Sequence, residues 1–403
     1  MIATYTALMA RIRTVVVGLG GRGVWAASKL QDHDEFELVG LVDTIRARSE
    51  LLVREMNLDA LSCFDDLPTC LSSLSCDAVA IFTPDGTHAD LVIQALEAGR
   101  HVFVEKPLDI TADKLDAVIA ADQQAGGRTF VGFNLRYAPF YQKIHQLLCD
   151  GVAGQILTIQ ADEFYDGGRT YFRRWNRLRA WGGGLWITKA CHDFDLLNWM
   201  AGAPPRQIFA NASLDYYKPR ADASLYCRDC QLLADCPDRY EPSANPKLLE
   251  DPDSRGYRMN QVYEQATGQR PDLCLFNSDK DTFDHGVATV TFANQVIGSY
   301  TVNVVAGFSD RRMRVSGTKA MIEGHLAGPK LVVRHRDPSR DDEIDIPNED
   351  GGHGGGDTKL FSAFAAFVHG RPTTYVAPTE AAIAVRMGLA ARTSCDERRA
   401  VEL

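Results

Sequence analysis

What the chain lacks narrows it first. No apolar run in its 403 residues approaches the roughly 20 needed for a helix to cross a bilayer. Met1 to Ala10 has neither the basic start nor the long apolar core of a secretory leader. Positive charge is in deficit, with 43 Lys and Arg against 53 Asp and Glu and a formal net charge of -10. That balance argues against a nucleic-acid surface and offers nothing to an anionic membrane. These absences lead to the expectation of a cytoplasmic protein. Cysteine is not scarce, but six of the ten (Cys63, Cys70, Cys76, Cys149, Cys191 and Cys395) are scattered, mostly among apolar neighbours, as buried thiols are. Cys227, Cys230 and Cys236 alone form a cluster.

What is present is an ordinary globular composition, 45% apolar and 24% charged, in a chain long enough for two cores. Arg13 to Gly18 is a buried-strand run, followed at once by Gly18-Leu19-Gly20-Gly21-Arg22-Gly23 and a helical pattern from Val24 to Leu30. Strand, G-x-G-x-x-G and helix in this order are the signature of a dinucleotide-binding turn. The glycines permit a tight bend, close approach to a pyrophosphate and packing of helix on strand. A second strand, Phe36 to Val42, ends at Asp43, where an acid binds ribose hydroxyls and repels a 2′-phosphate. NAD is therefore the expected cofactor. NADP is the lesser candidate, because Arg46 and Arg48 follow closely enough to accept a phosphate.

The alternation continues with a strand at Asp77 to Thr83, the turn Pro84-Asp85-Gly86 and a helix from Thr87 to Ala98. A short strand (Val102 to Val104), a helix (Thr111 to Gln124) and a strand (Thr129 to Phe133) follow. Strict alternation implies a parallel sheet covered on both faces, so a Rossmann domain is expected over residues 11–134. The strand at Val104 stops at Glu105-Lys106-Pro107. Proline ends the ladder and leaves Lys106 at the sheet rim, where open α/β sheets bind ligands.

From Gln155 the rhythm changes. Gln155 to Glu163 is strand-like, and from Val287 six β-runs follow one another without helices. Consecutive strands predict an α/β domain over residues 135–350 with an open, mainly antiparallel sheet, whose bare face would join a homo-oligomer. Between them lies Trp181 to Trp199. From Ile187 its apolar residues fall at helical spacing, and Lys189 and His192 share one face. A glycine triplet just before them allows a ligand close to the backbone.

These features together resemble the glucose–fructose oxidoreductase and inositol dehydrogenase (Gfo/Idh/MocA) family. The resemblance is carried by Gly18 to Gly23, Thr83-Pro84 with His88, Glu105-Lys106-Pro107, Gly132-Phe133-Asn134 with Arg136, and His192-Asp193 with Asp195. It covers most of residues 11–324. It implies a carbohydrate or polyol site between the domains, with Lys106 and His192 beside the nicotinamide and a cis bond at Lys106-Pro107. It also implies that Thr83, Pro84, His88, Glu105 and Asn134 serve the cofactor, and that Arg136, Tyr137 and Asp193 serve the substrate. In one respect the chain departs: relatives commonly carry an aspartate where Thr188 stands. A threonine holds no charge to orient the imidazole, which makes Lys189 a further catalytic candidate. The implied chemistry is oxidation of a secondary hydroxyl, with a positioned lysine or histidine handling the proton.

Three elaborations remain. The C-x-x-C of Cys227 and Cys230, followed by Cys236, sits in an insertion spanning about 215–280 and suits a structural metal. Cys274 is the candidate fourth ligand, zinc the first choice, an iron–sulfur cluster the second, and free thiols the alternative. Arg173 and Arg174, in an arginine-rich stretch before the glycine triplet, are candidates to meet a sugar or an anion. Finally, Gly351 to Asp357 reads GGHGGGD. It is expected to lead, as a flexible linker or with His353 as a substrate contact, into closing helices within 351–403, with Asp357 as an N-cap. A similar run occurs in NAD-dependent glycosidases of the same superfamily, which makes a redox-neutral hydrolase the rival reading. A dinucleotide-binding regulator without catalysis is the third.

Overall fold

Short runs of valine, isoleucine and phenylalanine build the first sheet. The computed structural model describes residues 10–58, 61–240, 255–337, 339–347 and 352–403, without the side chains of 255–257. Residues 1–9, the 241–254 part of the expected insertion and Gly351 lie outside these. Strands β1 (Ile12–Val17), β2 (Phe36–Val42), β3 (Ser62–Phe64), β4 (Ala78–Ile81), β5 (His101–Val104) and β6 (Thr129–Val131) pair in the order β3-β2-β1-β4-β5-β6. Every pairing is parallel. The connecting helices are α1 (Gly21–Asp32), α2 (Arg46–Glu55), α3 (Leu67–Ser73), α4 (His88–Glu97) and α5 (Ala112–Gln124). Strand order reverses between β1 and β4, and the crevice at that switch point is where such sheets take ligands.

Pro139 opens α6 (Pro139–Cys149), whose Phe140, Ile144 and Leu147 are buried at helical spacing. The second sheet comprises β7 (Ile156–Phe164), β8 (Pro205–Ser213), β9 (His285–Phe292), β10 (Ile297–Asn303), β11 (Asp310–Gly317), β12 (Ala320–His325), β13 (Lys330–His335), β14 (Asp341–Asp345) and β15 (Val401–Glu402). Their order is β14-β13-β12-β11-β7-β10-β9-β8-β15. Only β7 and β10 pair in parallel. Inward and outward residues alternate along these strands, as they must when one face is covered. Phe209, Val287 and Ile297 stand exposed on the other face.

Between the sheets run the short helices α7 (Gly168–Tyr171), α8 (Arg179–Gly182) and α9 (Leu185–Thr188), then α10 (Cys191–Ala201). The single helix expected from Ile187 is thus two. Ala190 N–H donates to Leu185 O, five residues back, and this wider bond breaks the α ladder at Lys189.

The insertion contributes α11 (Arg255–Thr267), which returns to the first domain. Arg258 forks onto both oxygens of Glu55 at 2.6 Å, and Tyr263 lies 5.2 Å from the Arg48 guanidinium. The chain ends with α12 (Gly356–Val368) and α13 (Pro378–Glu397). Phe364 of α12 packs on Phe36, Phe103 and Phe130, closing one face of the first sheet. Each phenyl buried there contributes about 2–3 kcal/mol over exposure.

Gly23 is the tightest point of the nucleotide turn, since a Cβ there would overlap the Gly18 carbonyl oxygen. Backbone cannot retreat as a side chain can, so Gly23→Ala is expected to cost about 3 kcal/mol or more. Chemical denaturation should show it.

Candidate active site

The turn after β1 is built to hold something. Gly18 has φ +86°, which glycine adopts freely. A Cβ at Gly20 or Gly21 would meet nothing within 4 Å. Helix α1 starts there without a side-chain cap, leaving its first N–H groups directed into open space. Asp43, at the end of β2, accepts from Leu19 N at 2.7 Å and Ile45 N at 2.9 Å, and further lone pairs stay available. Arg46 is committed to Glu50 (3.1 Å) and Asp65 (3.8 Å), and Arg48 lies 3.9 Å from Asp43. This geometry fits a dinucleotide with its pyrophosphate at Gly20–Gly21 and a ribose near Asp43.

Around the carboxyl ends of β4 and β5 the polar groups crowd. A cis bond joins Lys106 to Pro107, and the Lys106 Nζ donates to Thr188 O at 3.0 Å. The two domains therefore meet at the predicted lysine. Four residues on, His192 is 3% exposed and its Nδ1 has no partner among the described residues. Burial, then the positive charges of Lys106 and Arg311, hold its pKa well below the ordinary value, so it is a neutral imidazole. Its ring lies 5.5 Å from that of His353.

Beneath His192 lies a buried quartet. Arg311 reaches Glu163 at 2.6 Å and Asp193 at 3.2 Å, while Lys189 Nζ sits 2.7 Å from Glu163. Burial lowers the Lys189 pKa to about 8 against the pull of Glu163. Lys189 is thus a member of an ion-pair network, as is Asp193, rather than the open polar groups expected for proton handling and substrate contact. Arg311 and Glu163 escaped the sequence reading because each sits in an ordinary alternating strand.

Asp357 is the second hub. It accepts from Arg22 (3.1 and 3.2 Å), from Asn134 Nδ2 (2.7 Å) and pairs with His353 Nδ1 at 3.0 Å. It does not cap α12, because the helix starts at Gly356 after an N-cap at Gly355 and Asp357 already lies in its first turn. The glycine run is no loose linker either: a Cβ at Gly356 would overlap Asn134 O. Arg22 is committed to Glu105 (2.7 Å) and Asp357 and stacks 4.0 Å from Trp25. Arg22 and Glu105 therefore form an ion pair at the nucleotide turn. Asn134 is different, since its Oδ1 is buried and without a partner among the described residues.

Several other expected site residues make contacts within the chain. Both ring nitrogens of His88 face carbonyls, Pro107 O at 2.7 Å and Thr83 O at 2.9 Å, so it is a strut between two loops. The Thr83 hydroxyl accepts from Thr87 at 2.7 Å, and Pro84 O from the same hydroxyl. Arg136 forks onto Asp195 (2.6 and 2.7 Å) and reaches Glu380. The Tyr137 hydroxyl donates to Thr374 O. Arg173 donates to the carbonyls of Leu273 and Asp238, which anchors the insertion. Each of these groups thus has a partner within the chain, while the Thr83 O–H and the Tyr137 lone pairs stay open. Arg174 is exposed beside Tyr165.

Cys227, Cys230, Cys236 and Cys274 do come together, lining one cavity of about 20 Å³ with Leu232, Leu233 and Phe276. Backbone N–H groups of Ser224 and Tyr240 reach the Cys230 and Cys227 sulfurs at 3.5 and 3.4 Å. Among the described residues, however, no group of three or more His, Cys, Asp or Glu is arranged to hold a metal ion. The thiols share the wall with leucine and phenylalanine side chains. The zinc expectation therefore gains no support from the geometry.

Asp357→Ala would strand Arg22 and His353 together, and is expected to cost about 2–4 kcal/mol in chemical denaturation. Its partners hold the folded Asp357 pKa below the usual carboxylate range. Its contribution is thus complete above about pH 4, the unfolded value, and fades as pH falls below it. The difference between wild type and variant should shrink in the same direction.

Comparison with known proteins agrees with this geometry. Residues 12–133 match the model of the oxidoreductase family NAD-binding Rossmann fold, and residues 145–403 match that of the same family's C-terminal alpha/beta domain. Putative oxidoreductase YteT of Bacillus subtilis is 30% identical over 305 residues, covering 70% of this chain and 71% of that one. Inositol 2-dehydrogenase of Rhizobium meliloti is 27% identical, covering 53% of this chain and 62% of that one. The chain thus spans less than two thirds of that enzyme's length. Among solved structures, an oxidoreductase domain protein from Kribbella flavida aligns with a TM-score of 0.74 at 17% identity, covering 98% and 99% of the two chains. The WlbA dehydrogenase from Bordetella pertussis, in complex with NADH and UDP-GlcNAcA, gives 0.69 at 19% identity, covering 98% and 99%. Such distant likeness speaks for the fold. The two family models and the YteT match together mean that this chain belongs to the Gfo/Idh/MocA family of NAD-binding oxidoreductases.

Proposed function

We propose that the protein is an NAD-dependent dehydrogenase that oxidises a secondary hydroxyl of a sugar or polyol. The observation that carries this reading is the meeting of Lys106 and a neutral, partnerless His192 at the carboxyl end of the first sheet. The inositol 2-dehydrogenases among its relatives agree with a polyol substrate.

Gly20, Gly21 and the start of α1 would hold the pyrophosphate, Asp43 the adenosine ribose, and Asn134 Oδ1 offers a buried acceptor to the remainder. NAD rather than NADP is supported by the carboxylate at Asp43 and by the pairing of Arg46 with Glu50. When bound, the nicotinamide accepts and returns hydride. Lys106 places an ammonium where an alkoxide would develop. In the tautomer protonated at Nε2, His192 Nδ1 is an acceptor for a substrate hydroxyl. The cluster of Lys106, Lys189 and Arg311 around it keeps it unprotonated and so able to accept. His353, held by Asp357, stands against the same ring and is the candidate substrate contact from the glycine run.

Lys106→Met should lower kcat/KM by about 10²–10³-fold with NAD affinity within about threefold of wild type. Protein with added NAD is assayed on free sugars, myo-inositol and aryl glycosides, following NADH absorbance and aglycone release together. NADH accumulating on a free sugar or polyol supports the dehydrogenase. Aglycone release without net NADH would replace it with the redox-neutral glycosidase, and silence in both with NAD bound would point to a regulator.

The bare face of the second sheet, with Phe209, Val287 and Ile297 exposed, is assigned to a second copy of this chain. Sedimentation velocity should give a species larger than the 44.4 kDa monomer. Val287→Lys should shift it toward the monomer, and a wild-type monomer would end the assignment.

A further inference from the structure

Arg46 and Arg48 both follow Asp43 closely, and the fold treats them differently. Arg46 lies at the surface, held by Glu50 at 3.1 Å and Asp65 at 3.8 Å. Arg48 is drawn inward, its side chain 15% exposed, and its guanidinium stops 3.9 Å from Asp43, beyond hydrogen-bond distance. Its Nε is buried and has no hydrogen-bond partner among the described residues. Burial, opposed by the charge of Asp43, pulls its pKa below the ordinary arginine value. Arg48 is therefore a cation only partly compensated by its own chain.

What meets it is an aromatic ring from the insertion. Tyr263 of α11 lies 5.2 Å from the guanidinium, a cation–π contact. The ring is fixed by its surroundings. Met259, one helical turn earlier on the same face, is 2% exposed in the apolar cluster that also takes Leu51 and Leu52 of α2. Arg258 forks onto Glu55, at the far end of α2. Past the end of α11, Gln269 Oε1 accepts from the Tyr263 hydroxyl at 2.7 Å.

The place of this contact matters because of what separates the two nicotinamide dinucleotides. NADP carries a phosphate on the 2′-oxygen of the ribose that is assigned above to Asp43. Repulsion by one carboxylate is a weak barrier if an arginine beside it can swing toward that phosphate, since a guanidinium offers a fork of N–H donors. Tyr263 holds the guanidinium inward and occupies one side of it with a ring that gives a phosphate nothing. Arg46 is already spent on Glu50 and Asp65.

We propose that Tyr263 is a cofactor-specificity residue, which by covering Arg48 denies a 2′-phosphate its cation and makes the site select NAD. This rests on the NAD-dependent reading above and deepens it. Asp43 repels the phosphate and Tyr263 withholds the counter-charge. Selectivity is a difference between two affinities, and here both residues act by weakening the wrong one.

The test needs no substrate. Binding of NAD and of NADP to the full chain is measured by isothermal titration calorimetry in wild type, Tyr263→Phe, Tyr263→Ala, and Tyr263→Ala combined with Arg48→Ala. Wild type should bind NAD more tightly. Tyr263→Phe keeps the ring over the guanidinium and should keep the ratio of the two dissociation constants within about threefold. Tyr263→Ala should move that ratio toward NADP by about 10–100-fold, the worth of one charge-assisted hydrogen bond. Adding Arg48→Ala should abolish the shift. A ratio unmoved in Tyr263→Ala overturns the proposal, and a shift that survives without Arg48 assigns the phosphate to Arg46 and overturns it too. Loss of both dinucleotides together in Tyr263→Ala, with a lowered melting temperature, would make the ring a support of the fold and sink the selectivity role. Wild type binding NAD and NADP equally ends the proposal while leaving the dehydrogenase reading in place. Wild type binding neither refutes that reading, and the selectivity falls with it.

Discussion

One carboxylate, Asp357, receives hydrogen bonds from Arg22 of the nucleotide turn and Asn134 of the interdomain crossing, and pairs with His353 of the glycine run. Three segments far apart in the chain are thereby held at one point. Much of the site's geometry depends on it. Arg22 keeps Glu105 in place next to Lys106, Asn134 is turned so that its oxygen faces inward, and His353 is pressed toward His192. The carboxylate succeeds as a hub because it has lone pairs enough for all three partners and because the positive charge of Arg22 compensates its desolvation.

The second organising feature is electrostatic. Glu163, Asp193, Lys189 and Arg311 form a charge-balanced quartet in the second domain, and the Tyr300 hydroxyl donates to Glu163 at 3.0 Å. A balanced network can be buried where a single charge cannot. Its cationic members lie near His192, and with Lys106 they make protonation of that ring unfavourable. Neutral histidine is therefore a property of the scaffold, set before any ligand arrives.

Large parts of this were legible in the sequence. Glycine spacing between a strand and a helix, the acid closing β2, and the Glu105-Lys106-Pro107 stop all report backbone geometry, and backbone geometry is local. The partners of Arg136, Arg173 and Lys189 were not legible, because an arginine or lysine reads the same whether it faces solvent, substrate or a buried acid. Asp195 and Glu380 claim Arg136, the Leu273 and Asp238 carbonyls claim Arg173, and Glu163 claims Lys189 only once the chain has folded. The break between α9 and α10 was hidden because the apolar spacing of Ile187, Cys191 and Phe194 runs on unbroken through it. Helix α6 was not read from the sequence, although Pro139 opens it and its apolar residues fall at helical spacing.

The insertion adds a consequence of its own. Helix α11 leaves the second domain, fastens Arg258 to Glu55 and lays Tyr263 by the same Arg48 that borders Asp43. The nucleotide end of the cleft is thus walled partly by a segment foreign to the sheet that forms it. Occupancy of that end and docking of α11 become coupled equilibria: a ligand seated by Asp43 that gains from the docked wall must, by reciprocity, make that wall harder to peel away.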